Sequence, residues 1–148
     1  EHYRACTVII KAAAVADFKC STENCNKIKK KGDESTMLLE LTKNPDIIGE
    51  LGMLKENRIL VGFAAETENL LENASEKLKK KNLDLIIAND VSKSDIGFGS
   101  DNNEVIIIEV SGKTRHVPIM SKEEIANIIF DSIKKIIKKR KVVKDDWY

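Results

Sequence analysis

Apolar positions along the chain fall into short unbroken runs, separated by stretches with helical spacing. Residues 7–16 (TVIIKAAAVA) predict a buried strand that opens into a loop of small residues. Residues 58–64 (RILVGFA) and 83–88 (LDLIIA) are continuous apolar runs, as expected of strands covered on both faces. Residues 36–42 (TMLLELT) alternate and predict a further strand. A helix is expected from Asn44-Pro45-Asp46 to about Lys55, with Asn44 as its cap and Pro45 where a missing N–H costs nothing. Another is expected from Thr67 through Lys81. Residues 104–110 and 113–118 flank Ser111-Gly112, the composition of a tight hairpin. Ser121, with Glu124 three residues on, predicts a capping box. The helix behind it carries the stripe Ile125, Ile128, Ile129, Ile133, Ile136 and Ile137. The charged residues after Lys138 predict a frayed tail, and the polar residues 18–34 a mobile loop. Strand and helix alternate, so the expected class is α/β: a mostly parallel sheet with helices on both faces, extended by a hairpin. Residues 1–148 are expected to form a single domain.

Composition adds constraints rather than a function. Lys and Arg number 25 against 24 Asp and Glu, a net charge of +1. No overall positive field marks nucleic acid as a partner. Lysines cluster locally in 27–31, 77–81 and 134–141, either as solvated faces or as anion sites. Cys6, Cys20 and Cys25 have neither the number nor the spacing of a disulfide framework or a zinc site, so free thiols are expected. No run approaches the length of a membrane span, and no signal-peptide layout is present. The expected compartment is the cytoplasm.

Candidate chemistry gathers at the strand ends. In an open parallel sheet, ligands bind beyond the carboxyl ends of the strands. The three buried runs end in small residues and then an acid: Ala14-Val15-Ala16-Asp17, Phe63-Ala64-Ala65-Glu66 and Ala88-Asn89-Asp90. Such ends admit a planar base or a phosphate close to the backbone. Equally, the alanines can pack helices and the acids can cap them. On the helix 68–81, with Leu71, Ala74 and Leu78 as the expected core face, Lys77 and Lys81 fall at its border rather than on the solvent side. Lys27 opens a basic loop segment (27–32), where a lysine can bring charge to a phosphoryl group. Neither a GxGxxG nor a GxxxxGK[ST] fingerprint is present. Residue chemistry alone reaches a small-molecule site with phosphate-binding lysines; it does not choose the nucleotide.

Six segments in order, AAAVADF (12–18), KIKK (27–30), KNPDI (43–47), VGFAAET (61–67), KLKKKNLDLIIANDV (77–91) and GFGSDNN (97–103), resemble the synthetase domain of bacterial phosphopantothenoylcysteine synthetases. The resemblance implies a Rossmann-like fold, a homodimer with a contact in 92–110, and a parent chain that carries a flavoprotein decarboxylase. It implies ligation of 4′-phosphopantothenate with cysteine through an acyl-cytidylate, with CTP as substrate and Mg2+ as cofactor. By motif, Lys27 matches the catalytic lysine and Asp17 a CTP-contacting acid. Phe63 matches the aromatic bordering the nucleotide, and Lys77 and Lys81 match lysines on the triphosphate. Ala12, Ala13, Ala14, Asn44, Pro45, Asp46 and Ile47 match the rest of the nucleotide pocket. The family's SNxSSGKMG-type segment is not in this sequence, and Lys19 stands where an arginine is common. The expectation is an N-terminally incomplete synthetase domain. The alternative is a fragment that binds CTP without full ligase activity.

Overall fold

The computed structural model describes residues 2–29, 36–92 and 99–145, with side-chain surroundings up to residue 142. In chain order the elements are a 3₁₀ turn (His2–Ala5), β1 (Val8–Lys11), β2 (Phe18–Cys20), β3 (Leu41–Lys43), α1 (Ile47–Met53), β4 (Ile59–Glu66), α2 (Leu70–Lys80), β5 (Leu85–Asp90), β6 (Asn102–Glu109), β7 (Thr114–Ser121) and α3 (Lys122–Asp145). The chain divides into a larger unit, Glu1–Ala12 with Ile48–Tyr148, and a smaller one, Ala13–Ile47.

The larger unit is built on a five-stranded sheet in the order β1-β4-β5-β6-β7. β1, β4 and β5 run parallel, β6 turns back against β5, and β7 closes the hairpin. This is the expected α/β arrangement. Alternate residues of the central strands point to opposite faces. Ile59, Val61, Leu85, Ile87, Val105, Ile107 and Val117 meet Ile125, Ile129 and Ile133 of α3. Leu60, Ala64, Ile86, Ala88 and Ile108 meet Ile48 of α1 and Ala74 and Leu78 of α2. Two covered faces explain why β4 and β5 read as unbroken apolar runs. Each fully buried Leu or Ile contributes about 1.5–3 kcal/mol. Gly62 leaves room for this layer: a Cβ there would lie 2.8 Å from Leu83 Cδ1.

The helix α3 begins as its sequence predicts. Glu124 N–H donates to Ser121 Oγ at 3.2 Å, and Ser121 N–H donates to Glu124 Oε2 at 3.0 Å. The Ser121 hydroxyl and then its backbone N–H hold the Glu124 carboxyl below the usual carboxylate range. Ile125, Ile129 and Ile133 are buried, with Ile128, Ile136 and Ile137 packed beside them. Gly112, at φ 84°, supplies the left-handed residue of the β6–β7 turn.

Several boundaries depart from the sequence pattern. Of the strand expected over 36–42, only Leu41 and Thr42 pair; Met37, Leu38 and Leu39 are 63%, 98% and 59% exposed. Apolar alternation marks a strand only where a layer covers one face, and among the described residues none covers Met37, Leu38 or Leu39. The loop expected over 18–34 contains β2, which pairs antiparallel with β3 to make the sheet of the smaller unit. Lys30, Lys31, Gly32 and Glu34 lie outside the described residues.

The first helix starts at Ile47, not at Asn44. Asn44 lies three residues before that start, out of the cap position, and its side-chain amide donates to the Ala16 carbonyl at 2.8 Å. The second starts at Leu70, not at Thr67. Asn69 adopts a left-handed φ of 49°, and Asn73 Nδ2 donates to the Glu68 carbonyl at 3.0 Å, so residues 67–69 form a turn. The inner face of α2 uses Leu70 with Ala74 and Leu78, while Leu71 is 49% exposed.

The tail is not frayed within the described residues. α3 continues to Asp145, and Arg140 anchors its last turns. Its guanidinium donates to the Asn57 carbonyl at 2.9 Å, to the Arg58 carbonyl at 3.2 Å, and to the carboxylate of buried Asp84. Asp84 Oδ2 also accepts from Leu60 N–H at 2.8 Å and lies 3.0 Å from Lys55 Nζ. A buried carboxylate this well satisfied avoids the penalty of an unpaired charge.

Candidate functional site

The parallel strands of the larger unit place two of the three small-residue ends side by side. Ala65 pairs in register with Asn89, and Glu66 with Asp90. Both acids shape the loops that leave the sheet. Asp90 Oδ1 accepts from Ser92 N–H at 2.9 Å and from Ser92 Oγ at 2.6 Å. Glu66 Oε2 accepts from Asn73 Nδ2 at 3.3 Å, while its carbonyl accepts from Val91 N–H at 3.0 Å. Ala64 and Ala88 are buried against the helices. At these two strand ends Ala64 and Ala88 carry the packing role, and Glu66 and Asp90 the turn-forming role, open to them from the sequence. Asn73 and Ser92 were not legible as partners: both are exposed polar residues that pattern alone assigns to solvent.

Phe63, three residues before the end of β4, is half-buried against the α3 face of the sheet. Lys77 lies on α2, which covers the opposite face, and Lys81 is the residue that caps its C-terminal end. They are adjacent on successive turns and both half-buried, whereas Lys79 and Lys80 are exposed. The helix runs back along the sheet, so this pair stands near the starts of β4 and β5. Leu83 N–H donates to the Leu78 carbonyl, and Asp84 N–H donates to the Leu60 carbonyl. Gly52 at the end of α1 abuts this turn; a Cβ there would lie 2.1 Å from the Lys81 carbonyl oxygen. The structure brings Lys77 and Lys81 together, and holds them at the other end of the sheet from Glu66 and Asp90. Ala12 follows β1 and is exposed.

The smaller unit carries Ala13, Ala14, Asp17, Lys27 and the 44–47 turn. Here Asn44 joins the two segments by a pair of bonds: its side-chain amide to the Ala16 carbonyl at 2.8 Å, and its backbone N–H to the Asp17 carbonyl at 2.9 Å. Asp17 and Lys27 are exposed, as are Pro45, Asp46 and Ile47. Lys30 of the KIKK segment and Gly97 and Phe98 of GFGSDNN lie outside the described residues, as do 93–98 of the expected dimer contact. Cys6, Cys20 and Cys25 are unpaired and exposed. Among the described residues no group of three or more His, Cys, Asp or Glu is placed to hold a metal. No helix among them is long and apolar enough to cross a membrane.

Comparison with known proteins places this arrangement. A coenzyme A biosynthesis bifunctional protein CoaBC from Bacillus subtilis is 47% identical over 131 residues, 88% of this chain and 32% of its own length. The CoaBC protein of Escherichia coli K12 is 44% identical over 130 residues, 85% of this chain and 31% of its own. A cysteine/cysteine sulfinic acid decarboxylase from an unknown prokaryotic organism is 43% identical over 138 residues, 93% of this chain and 37% of its own. The chain thus spans about a third of the length of these relatives. The crystal structure of the C-terminal domain of a CoaBC protein superposes with a TM-score of 0.73 at 32% identity, over 93% of this chain and 58% of that one. The sequence profile of the DNA/pantothenate metabolism flavoprotein C-terminal domain matches residues 1–137, and the chain belongs to that family.

Proposed function

We propose that the chain is the nucleotide-handling part of a ligase of coenzyme A biosynthesis that joins 4′-phosphopantothenate to cysteine at the expense of CTP. The family and the names of its CoaBC relatives support the pathway. The observation that carries the nucleotide reading is the bracket made by Asn44, which fixes two motif segments, 12–17 and 44–47, against each other.

In the proposed reaction a carboxylate oxygen of 4′-phosphopantothenate attacks the α-phosphorus of CTP. An acyl–phosphate bond forms, the bond to the β-phosphate breaks, and pyrophosphate leaves. The amine of cysteine then attacks the acyl carbon and loses a proton; the amide bond forms and CMP departs. Lys27 supplies positive charge to the phosphoryl oxygens as negative charge builds on them. Asp17 contacts the nucleotide, Phe63 borders it, and Lys77 and Lys81 hold phosphates. Mg2+ would be held mainly by phosphate oxygens and water, its usual coordination with nucleotides. The parent chain would carry a flavoprotein decarboxylase, act in the cytoplasm and pair as a homodimer.

A second reading is a CTP-binding part that does not complete ligation. Calorimetric titration of CTP with Mg2+, with ATP as control, tests nucleotide binding. Pyrophosphate release on adding 4′-phosphopantothenate separates the two readings. Release of CO2 from cysteine without CTP would replace both with the activity in the decarboxylase relative's name.

A further inference from the structure

Resting on the CTP reading above, we infer that Asn44 is a positioning residue: it acts on the nucleotide through Asp17 and does not itself touch it. The inference comes from the smaller unit alone. β2 and β3 pair over three rungs, Phe18 with Lys43, Lys19 with Thr42 and Cys20 with Leu41. The Asn44 N–H to Asp17 carbonyl bond, at 2.9 Å, extends that ladder past its last rung. The Asn44 side chain then reaches one residue further and donates to the Ala16 carbonyl at 2.8 Å. A carbonyl only accepts, so the amide nitrogen must face Ala16.

Two consecutive peptide units of the 12–17 loop, those carrying the carbonyls of Ala16 and Asp17, are therefore held by one residue. Asp17 follows four small residues and Val15, none of them long enough to brace it, and all of 12–17 is exposed. The contacts that hold the Asp17 backbone are the two Asn44 bonds and the β2–β3 ladder that begins at Phe18. Pro45 follows at once; its fixed φ and lack of a donor stiffen the other side of the bracket. The helix-capping role expected of Asn44 is unfilled because α1 begins at Ile47, three residues on.

The test is a double-mutant cycle on CTP affinity in the whole chain, read by calorimetry, with Asn44→Ala, Asp17→Ala and the pair. Asn44→Asp is added because it keeps the shape and removes the donor. Amide hydrogen exchange over 13–20 and 41–44 is measured on the same proteins without ligand. We expect Asn44→Ala and Asn44→Asp to weaken CTP about threefold to tenfold, the effect of losing a hydrogen bond. In the Asp17→Ala background the Asn44 effect should vanish, and exchange over 13–20 should quicken in both variants. Additive effects of Asn44→Ala and Asp17→Ala would make Asn44 a direct contact and overturn the inference. So would unchanged affinity in both Asn44 variants. If the unmodified chain binds no CTP, the nucleotide reading fails. The bracket is then judged by exchange alone: quickening retains it, and an unchanged pattern overturns it.

Discussion

Arg140 reaches from the last turns of α3 to the carboxylate of Asp84, 56 residues earlier, at the entrance to β5. Asp84 is 3% exposed and is also bound by Lys55 and by Leu60 N–H, so three groups of the larger unit converge on one carboxylate. Asp84→Ala leaves Leu60 N–H without its acceptor and removes the carboxylate between Lys55 and Arg140, which keep their carbonyl partners, and is expected to cost about 3 kcal/mol. Arg140→Ala leaves Asp84 its other two partners, and the lost guanidinium is 39% exposed, so about 1–2 kcal/mol is expected. Denaturant unfolding of both variants checks the order. Equal costs would mean that Lys55 and Leu60 do not sustain the buried charge.

The start of α3 depends on Ser121. Its hydroxyl caps the helix, and Ser121→Ala is expected to cost about 0.5–2 kcal/mol near neutral pH. Because the folded Glu124 carboxyl is held down by Ser121, the carboxylate's share of that stability is present above the unfolded value of about 4.3. It disappears as pH falls through the lower, folded value. The gap between variant and unmodified protein should therefore narrow below about pH 4. A gap constant from pH 7 to 3 would remove Glu124 from the account.

Gly52 and the Lys81 carbonyl make the tightest backbone approach of the two helix ends described above. Gly52→Ala puts a methyl group 2.1 Å from that oxygen, so α1 and the end of α2 must separate. A loss of about 1–3 kcal/mol is expected. If Lys77 and Lys81 hold phosphates, the same variant should weaken CTP as Lys81→Ala does. Lost stability with unchanged CTP affinity would detach the lysine pair from the nucleotide.

Lys27 and the Lys77–Lys81 pair are expected to separate kinetically. Lys27→Ala should lower turnover about 100-fold or more with little change in CTP affinity, the pattern of a group that acts on the transition state. Lys77→Ala and Lys81→Ala should each weaken CTP about threefold to tenfold, as loss of a charged hydrogen bond would. Because the pair stands near the strand starts, unchanged affinity in both would confine the nucleotide to other residues.

Much of the fold was legible because its burial is two-sided. Leu85, Ile86, Ile87 and Ala88 are all buried, so LDLIIA could hardly be anything but a central strand. The capping box and isoleucine stripe of α3 were equally readable, since cap and face are local to one helix. What pattern could not reach depends on partners distant in sequence. Nothing in a basic tail distinguishes Arg140 from its lysine neighbours until buried Asp84 is placed opposite it. Asn44 before a proline looks like a helix cap, and only the carbonyl of Ala16 shows where its donor goes. The half-buried placement of Lys77 and Lys81 did follow from helical spacing, although the face is centred nearer Leu70 than Leu71.

Arg58 ties together two parts of the larger unit that lie far apart in sequence. Its Nε donates to the Tyr3 carbonyl at 3.0 Å and its guanidinium lies 5.4 Å from the Tyr3 ring, while its own carbonyl receives Arg140. The 3₁₀ turn and α3 are thus moored to a single residue. Any backbone displacement at residue 58 would therefore be felt at both places at once.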